Sequence, residues 1–223
     1  MLASREWDIV IASLNVLGEG ALVTIYLSFA AMVGAVVLGL VVALMRISKM
    51  KILEQIAKVY VSFFRGTPLL VQLLILYFGL TSFGIMLEPF PAALIGLILH
   101  FGAYISEIFR GTILSISIGQ WEAGLSIGMS NLQILQRIVL PQALRISIPA
   151  LWNCLIDILK SSSLASVITV PELTRQVEEQ SSAQFVFMPY FITLAVFYWI
   201  MVIAMGWVQD WLERKVTVPG GSA

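Results

Sequence analysis

Residues 21–45 read ALVTIYLSFAAMVGAVVLGLVVALM, 25 positions without a charged side chain. A helix needs about 20 mostly apolar residues to cross the ~30 Å hydrocarbon core of a bilayer, and this stretch exceeds that length. One such block can be a buried core helix, so its neighbours decide. Leu69–Leu87 adds 19 uncharged residues, Pro89–Ser106 adds 18 and Phe185–Val208 adds 24. A fifth block, Ile146–Leu159, is interrupted only by Asp157. A soluble core accommodates one such helix, not five. The whole chain agrees: of 223 residues 59% are hydrophobic and 12% charged, against roughly 25% charged in ordinary soluble domains. The expected fold is an all-α integral membrane protein with five transmembrane helices.

Zero net charge gives no electrostatic case for a nucleic-acid partner. Cys154 stands alone in an apolar block, with no partner for a disulfide or a metal site. The first 20 residues contain Trp7, Asp8 and Glu19 and lack the basic-then-apolar order of a cleaved signal peptide. Trp7, Val10, Ile11, Leu14 and Leu17 recur at helical spacing, as in an amphipathic helix on the membrane surface. The organisation expected is an amphipathic segment over 1–20, a membrane domain over 21–212 and a tail over 213–223. No soluble domain is visible, since the loops are too short to hold one.

Basic residues orient the chain. Arg46, Lys49, Lys51, Lys58 and Arg65 follow the first block against one acid, Glu54, while the loop around Glu88 has no basic residue. Arg110, Arg137 and Arg145 lie between the third and fourth blocks, and Arg214 and Lys215 follow the last. The positive-inside rule then puts the N-terminus outside and the C-terminus in the cytoplasm. Segments 46–67 and 107–145 face the cytoplasm in that arrangement. Trp199, Trp207 and Trp211 suit an interfacial anchor on the last span.

One cytoplasmic segment is unusual. Between apolar blocks stands Glu122-Ala123-Gly124, then Gly128, then Ile138-Val139-Leu140-Pro141. Gly119 can open a helix, with Glu122 in its first turn against the free N–H groups and the positive dipole end. Gly128 can close that helix with a positive φ. Ser130 and Gln133 fit a capping box that starts a second short helix. Leu140-Pro141 should end it, because the residue before proline disfavours helical ψ, and Pro141 suits the first turn of the next span. Ala123, Gly124 and Gly128 keep one surface small enough for a partner to approach closely.

The pattern Glu122-Ala123-Gly124-x3-Gly128-x9-Ile138-x-Leu140-Pro141 resembles the EAA loop of type I ABC importer permeases. It departs in having Gly124 where alanine is usual. Phe64-Arg65-Gly66-Thr67-Pro68-Leu69-Leu70-Val71-Gln72, Tyr104-Ile105-Ser106-Glu107-Ile108-Phe109-Arg110-Gly111 and Lys160-Ser161-Ser162-Ser163-Leu164-Ala165-Ser166 resemble the subgroup that carries polar amino acids. That subgroup usually has an Asp-Thr pair where this chain has Ser161-Ser162. The likeness spans roughly residues 18–212. It implies a fold of five core helices in the bacterial cytoplasmic (inner) membrane and a role in transport rather than catalysis. It also implies three kinds of partner: an ABC ATPase dimer gripping the cytoplasmic loop at 117–141, a second permease subunit (a copy or a sister), and an extracytoplasmic solute-binding protein. Glu122, Ala123, Gly124, Gly128, Ile138, Leu140 and Pro141 would be the coupling residues. No cofactor is expected in this chain, and ATP and Mg²⁺ belong to the partner ATPase. In agreement, no lysine follows a glycine anywhere, so the chain lacks a phosphate-cradling Walker loop.

Polar groups within spans mark a candidate solute site, since an aspartate at mid-membrane costs about 2.5–3.5 kcal/mol on insertion scales. Gly96, His100, Tyr104 and Glu107 share one face of the third span, and Asn153 and Asp157 share a face of the fourth. These faces are expected to line one cavity. Asp157 and Glu107 would attract an amino or cationic group there, while His100, Tyr104 and Asn153 would offer hydrogen bonds. Blander readings stay open: Asp157 reaching Lys160 or His100, Glu107 pairing with Arg110, and His100 as a satisfied buried residue. Two other functions compete. An ion channel or ion-coupled carrier would use the intramembrane carboxylates but leaves segment 122–141 without a role. A non-transporting scaffold uses that segment and leaves the polar faces idle.

Overall fold

The computed structural model describes residues 2–216, among which every regular element is helical. Of the expected tail, residues 217–223 lie outside the described residues. Helix α1 (Leu2–Ala12) is separated by Ser13 from α2 (Leu14–Ile47). Then come α3 (Lys51–Gly66) and α4 (Leu69–Leu74), which runs on through a π turn (Ile75–Gly79) and a 3-10 turn (Leu80–Phe83). Helix α5 (Pro89–Ser115) precedes two short helices, α6 (Ile118–Ser126) and α7 (Asn131–Ile134). A π turn (Leu135–Val139) carries α7 into α8 (Leu140–Ser161), followed by a 3-10 turn (Ser162–Ile168), α9 (Leu173–Gln184) and α10 (Met188–Val216).

Four helices among the described residues are long and apolar enough to cross a bilayer: Leu14–Ile47, Pro89–Ser115, Asn131–Ile168 and Met188–Leu212. A fifth crossing exists if Lys51–Gly66 and Leu69–Phe83, bent by 106°, count as one. The first of these begins at Leu14, seven residues before the apolar block that announces it. The stretch expected as one span from Leu69 to Leu87 is continuously helical only from Leu69 to Phe83, passing from α to π to 3-10 geometry. The segment before it, expected as a cytoplasmic loop, is the regular helix α3. Thr67 marks the break, with extended backbone (φ −120°, ψ 146°), as the ring of Pro68 requires of its predecessor.

Helices α2 and α5 form the central pair. Water does not drive helices together in lipid, so close approach of small residues does. Buried Ala31, Ala35 and Ala43 of α2 share one core with buried Ala92 and Ala93 of α5, while Gly96 of α5 makes room for Leu73 of α4. A Cβ on Gly39 would lie 2.6 Å from Ile105 Cγ2 and 3.1 Å from the Gly102 carbonyl oxygen. Helix α3 adds Ala57 and Val61 against Val42 and Ala103. The Tyr60 hydroxyl donates to the Leu99 carbonyl at 2.6 Å, which carries the C-terminal end of α3 to the middle of α5. On the other flank the Trp152 indole of α8 donates to the Met205 carbonyl of α10 at 2.8 Å.

The connection between α8 and α10 contains an ionisable group with no exposure, Glu172. It caps α9, accepting from the backbone N–H groups of Thr174 (2.9 Å) and Arg175 (2.8 Å), and the Tyr198 hydroxyl of α10 donates to it at 3.3 Å. Burial disfavours the charged form more than these donors favour it, and the carboxyl is pushed up to about 7. An unfolded glutamate titrates near ~4.3, so the native state binds the proton more tightly than the unfolded state does. The stabilisation is full below the unfolded value and is lost as pH rises to 7, a fall of about 3 kcal/mol. Thermal unfolding of the purified protein should therefore show a higher Tm at pH 5 than at pH 8. In Glu172→Gln that difference should shrink markedly.

Candidate functional site

Helices α5 and α8 face one another across a cleft of about 750 Å³, with Arg65 from the last turn of α3 also in its lining. His100, Tyr104, Glu107, Asn153 and Asp157 all line it. The i, i+4 spacing on α5 and on α8 thus turns the two expected faces toward each other. The charges follow two of the alternatives left open, Glu107 with Arg110 and Asp157 with Lys160. Glu107 has both oxygens engaged: Oε1 accepts from Arg46 Nη1 at 2.8 Å and Oε2 from Arg110 Nη2 at 2.9 Å. With its side chain only 21% exposed, it ties α2 to α5 rather than waiting for a cation. Asp157 pairs with Lys160 at 2.8 Å, but both side chains are more than half exposed. Such a pair is worth at most about 1 kcal/mol, so either partner can turn to a ligand at little cost.

Two cations of the cleft, Arg65 and Lys160, were not expected to line it. The Arg65 guanidinium lies 5.2 Å from the ring centroid of Tyr104, a cation–π distance. Its signal in the sequence is its place immediately before the Gly66-Thr67-Pro68 break. Broken helices at membrane depth are tolerated where they line a cavity, and the cleft lies at this one. Lys160 stands one turn beyond Asp157. The cleft therefore presents both signs of charge, together with the hydrogen-bonding groups of Asn153, Tyr104, His100 and Ser161.

Beyond the C-terminal end of α5, helices α6 and α7 form a compact knuckle. Ser117 caps α6 by accepting from the Gly119 N–H at 3.3 Å. The helix thus begins at Ile118, and Glu122 sits in its second turn, exposed, not in the first turn as expected. Gly128 has φ +80°, with its N–H on Leu125 O and the Met129 N–H on Gly124 O. Both halves of the Ser130/Gln133 capping box are present. Ala123 is exposed, but Gly124 is buried. Its small size serves Ile134 of α7, whose Cγ1 would lie 2.6 Å from a Cβ added there. Ile138 and Leu140 are half-buried around Ile113, Ile116 and Val139.

Pro141 does not end the second short helix. From Asn131 the chain runs as one helix to Ile168. The π turn before Pro141 bonds the Leu140 N–H to Leu135 O. That shift of register absorbs the N–H that proline lacks, and Leu140 stays helical at φ −62°, ψ −45°.

Residues 35–218 match the family described as the binding-protein-dependent transport system inner membrane component. The chain belongs to this permease family. The permease is 42% identical over 188 residues to the probable amino-acid ABC transporter permease protein PatM of Vibrio harveyi, covering 83% of this chain and 84% of that protein. It is 43% identical over 212 residues to the L-cystine transport system permease protein TcyB of Bacillus subtilis, covering 94% and 91%. The glutamine transport system permease protein GlnP of Escherichia coli is 36% identical over 215 residues, covering 96% and 98%. Among solved structures, an amino acid ABC transporter crystallised with histidines superposes with a TM-score of 0.88 at 34% identity, covering 92% of this chain and 96% of that one. The MetNI methionine ABC transporter, inward facing, has the same fold at 22% identity, with a TM-score of 0.80 and coverage of 93% and 99%. The permease is thus the membrane subunit of a binding-protein-dependent ABC importer, with the type I importer permease fold.

Proposed function

We propose that this permease carries a polar amino acid inward through the α5–α8 cleft by alternating access, in the bacterial cytoplasmic membrane. The cleft of mixed charge is the observation that supports the reading. A zwitterion offers one group to Asp157 and the opposite one to Arg65 or Lys160. Relatives named for glutamine and cystine point to the same class of solute. The bent pair α3–α4 counts as the second of five crossings, with the N-terminus outside and the C-terminus inside. A dimer of ABC ATPases would supply ATP and Mg²⁺ and grip α6 and α7 through Glu122, Ala123 and Gly128. A second permease subunit would complete the pathway, and an extracytoplasmic binding protein would deliver the solute.

The test is uptake by proteoliposomes holding the assembled importer, with its binding protein outside and ATP inside. Asp157→Asn should assemble normally, because the exposed pair with Lys160 adds little to stability. It should lower uptake of the transported amino acid at least tenfold, about 1.4 kcal/mol of lost charge recognition. Wild-type uptake kinetics in this variant would remove the site.

A further inference from the structure

We propose that Gln72 positions His100 so that the imidazole Nε2 is a hydrogen-bond acceptor of the cleft, selecting a solute with an N–H donor at that point. The claim rests on the reading of the α5–α8 cleft as the solute site.

The break between α3 and α4 leaves carbonyls at the end of α3 without helical partners. One side chain from α4 reaches the Phe64 carbonyl and that of Thr67 just beyond the helix. Gln72 is 4% exposed, and the two hydrogens on its Nε2 are shared among Phe64 O at 3.0 Å, Thr67 O at 3.2 Å and Thr67 Oγ1 at 2.8 Å. The Thr67 hydroxyl spends its own proton on Phe63 O at 2.8 Å, so toward Gln72 it can only accept. Three acceptors therefore surround one end of the amide, and that end must be the nitrogen. The other end, Oε1, faces His100 Nδ1 at 3.1 Å. An amide oxygen only accepts, so Nδ1 carries the proton.

A neutral imidazole with Nδ1–H has an acceptor at Nε2. The surroundings suit the neutral ring. Glutamine, not a carboxylate, holds it, and it packs 5.1 Å from the ring of Tyr104, over which the Arg65 guanidinium lies. Among the described residues no protein group bonds Nε2, and no buried side-chain nitrogen is without a partner. Nε2 is therefore open to solvent, on a ring that lines the cleft. An ammonium, guanidinium or amide N–H of the solute meets an acceptor there. A carboxylate does not.

The chain contains a single histidine, so the assignment can be read directly. The assembled importer is prepared with ¹⁵N-imidazole histidine in the permease, and a His100→Asn preparation identifies the signal by difference. The expected spectrum shows Nδ1 protonated and Nε2 bare. L-glutamine, L-arginine, L-histidine and L-cystine are then added singly and unlabelled, and whichever the preparation imports should move the Nε2 resonance. Gln72→Leu should release the ring to the Nε2–H form and raise KM for uptake about tenfold with little change in turnover. Gln72→Asn, which keeps the amide, should lie between it and the wild type. Protonated Nε2 in the wild type, or an imported amino acid that leaves Nε2 unmoved, would overturn the proposal. The two claims separate cleanly. Nδ1–H with unimpaired Asp157→Asn keeps the histidine assignment and removes the solute site, and the reverse pair of results does the opposite.

Discussion

Gly124→Val should abolish ATP-driven uptake while leaving the membrane helices assembled. At Gly124 even a single added carbon would lie 2.6 Å from Ile134 Cγ1 and 2.9 Å from Cδ1. Ile134 is fully buried and cannot swing aside, because Ile113, Ile116, Val139 and Ala143 pack into the same small cluster. Overpacking of this kind typically costs about 1–3 kcal/mol. Helix α7 is anchored as the start of the long helix to Ile168, whereas the nine-residue α6 rests on it at this contact, so α6 should part from α7. The usual alanine at this position of the family motif would itself crowd Ile134, which accounts for glycine here. The check is ATP-driven uptake together with co-purification of the ATPase, both expected to fall at least tenfold. Retention of both would mean that the ATPase grips the permease elsewhere.

Glu107→Ala has the second largest expected effect, and it concerns assembly rather than coupling. The carboxylate bridges Arg46 of α2 and Arg110 of α5, with side chains 21%, 17% and 32% exposed. Removing it leaves two half-buried guanidiniums facing each other with no anion between them. Breaking a buried pair by removing one partner costs about 3–5 kcal/mol, and partial exposure puts this case at the low end. The variant should lose several degrees of Tm in detergent and most of its yield. Glu107→Gln keeps the shape and should recover part of both. If Glu107→Ala unfolds at the wild-type temperature, the bridge between α2 and α5 contributes nothing to the fold.

The apolar blocks made four of the crossings plain, and the bent pair was hidden for a physical reason. Helix α3 carries Lys51, Glu54 and Lys58 toward its exposed side, with Ala57 and Val61 buried, and charge counting reads such a segment as loop. The helix break was signalled by Gly66-Thr67-Pro68, but Gln72 lies in an uncharged run where nothing marks it as a stitch. At the knuckle, the capping box and Gly128 were legible because each works through neighbours in sequence. The continuation through Pro141 was not, since the π turn that permits it has no local signature. Of the cleft, the five residues on α5 and α8 were reachable by helical spacing alone. Arg65 comes from a third helix, and only tertiary packing brings it over Tyr104.

The continuous helix from Asn131 to Ile168 makes the α7 half of the knuckle and the α8 wall of the cleft parts of one rod. From Asn131 to Asp157 it measures ~39 Å at 1.5 Å per residue, so each degree of swing about its lower end displaces the carboxylate by about 0.7 Å. A tilt of two or three degrees thus moves Asp157 farther than a hydrogen bond tolerates. A modest push at the knuckle end is enough, through leverage alone, to change which groups of the cleft come within reach of one another.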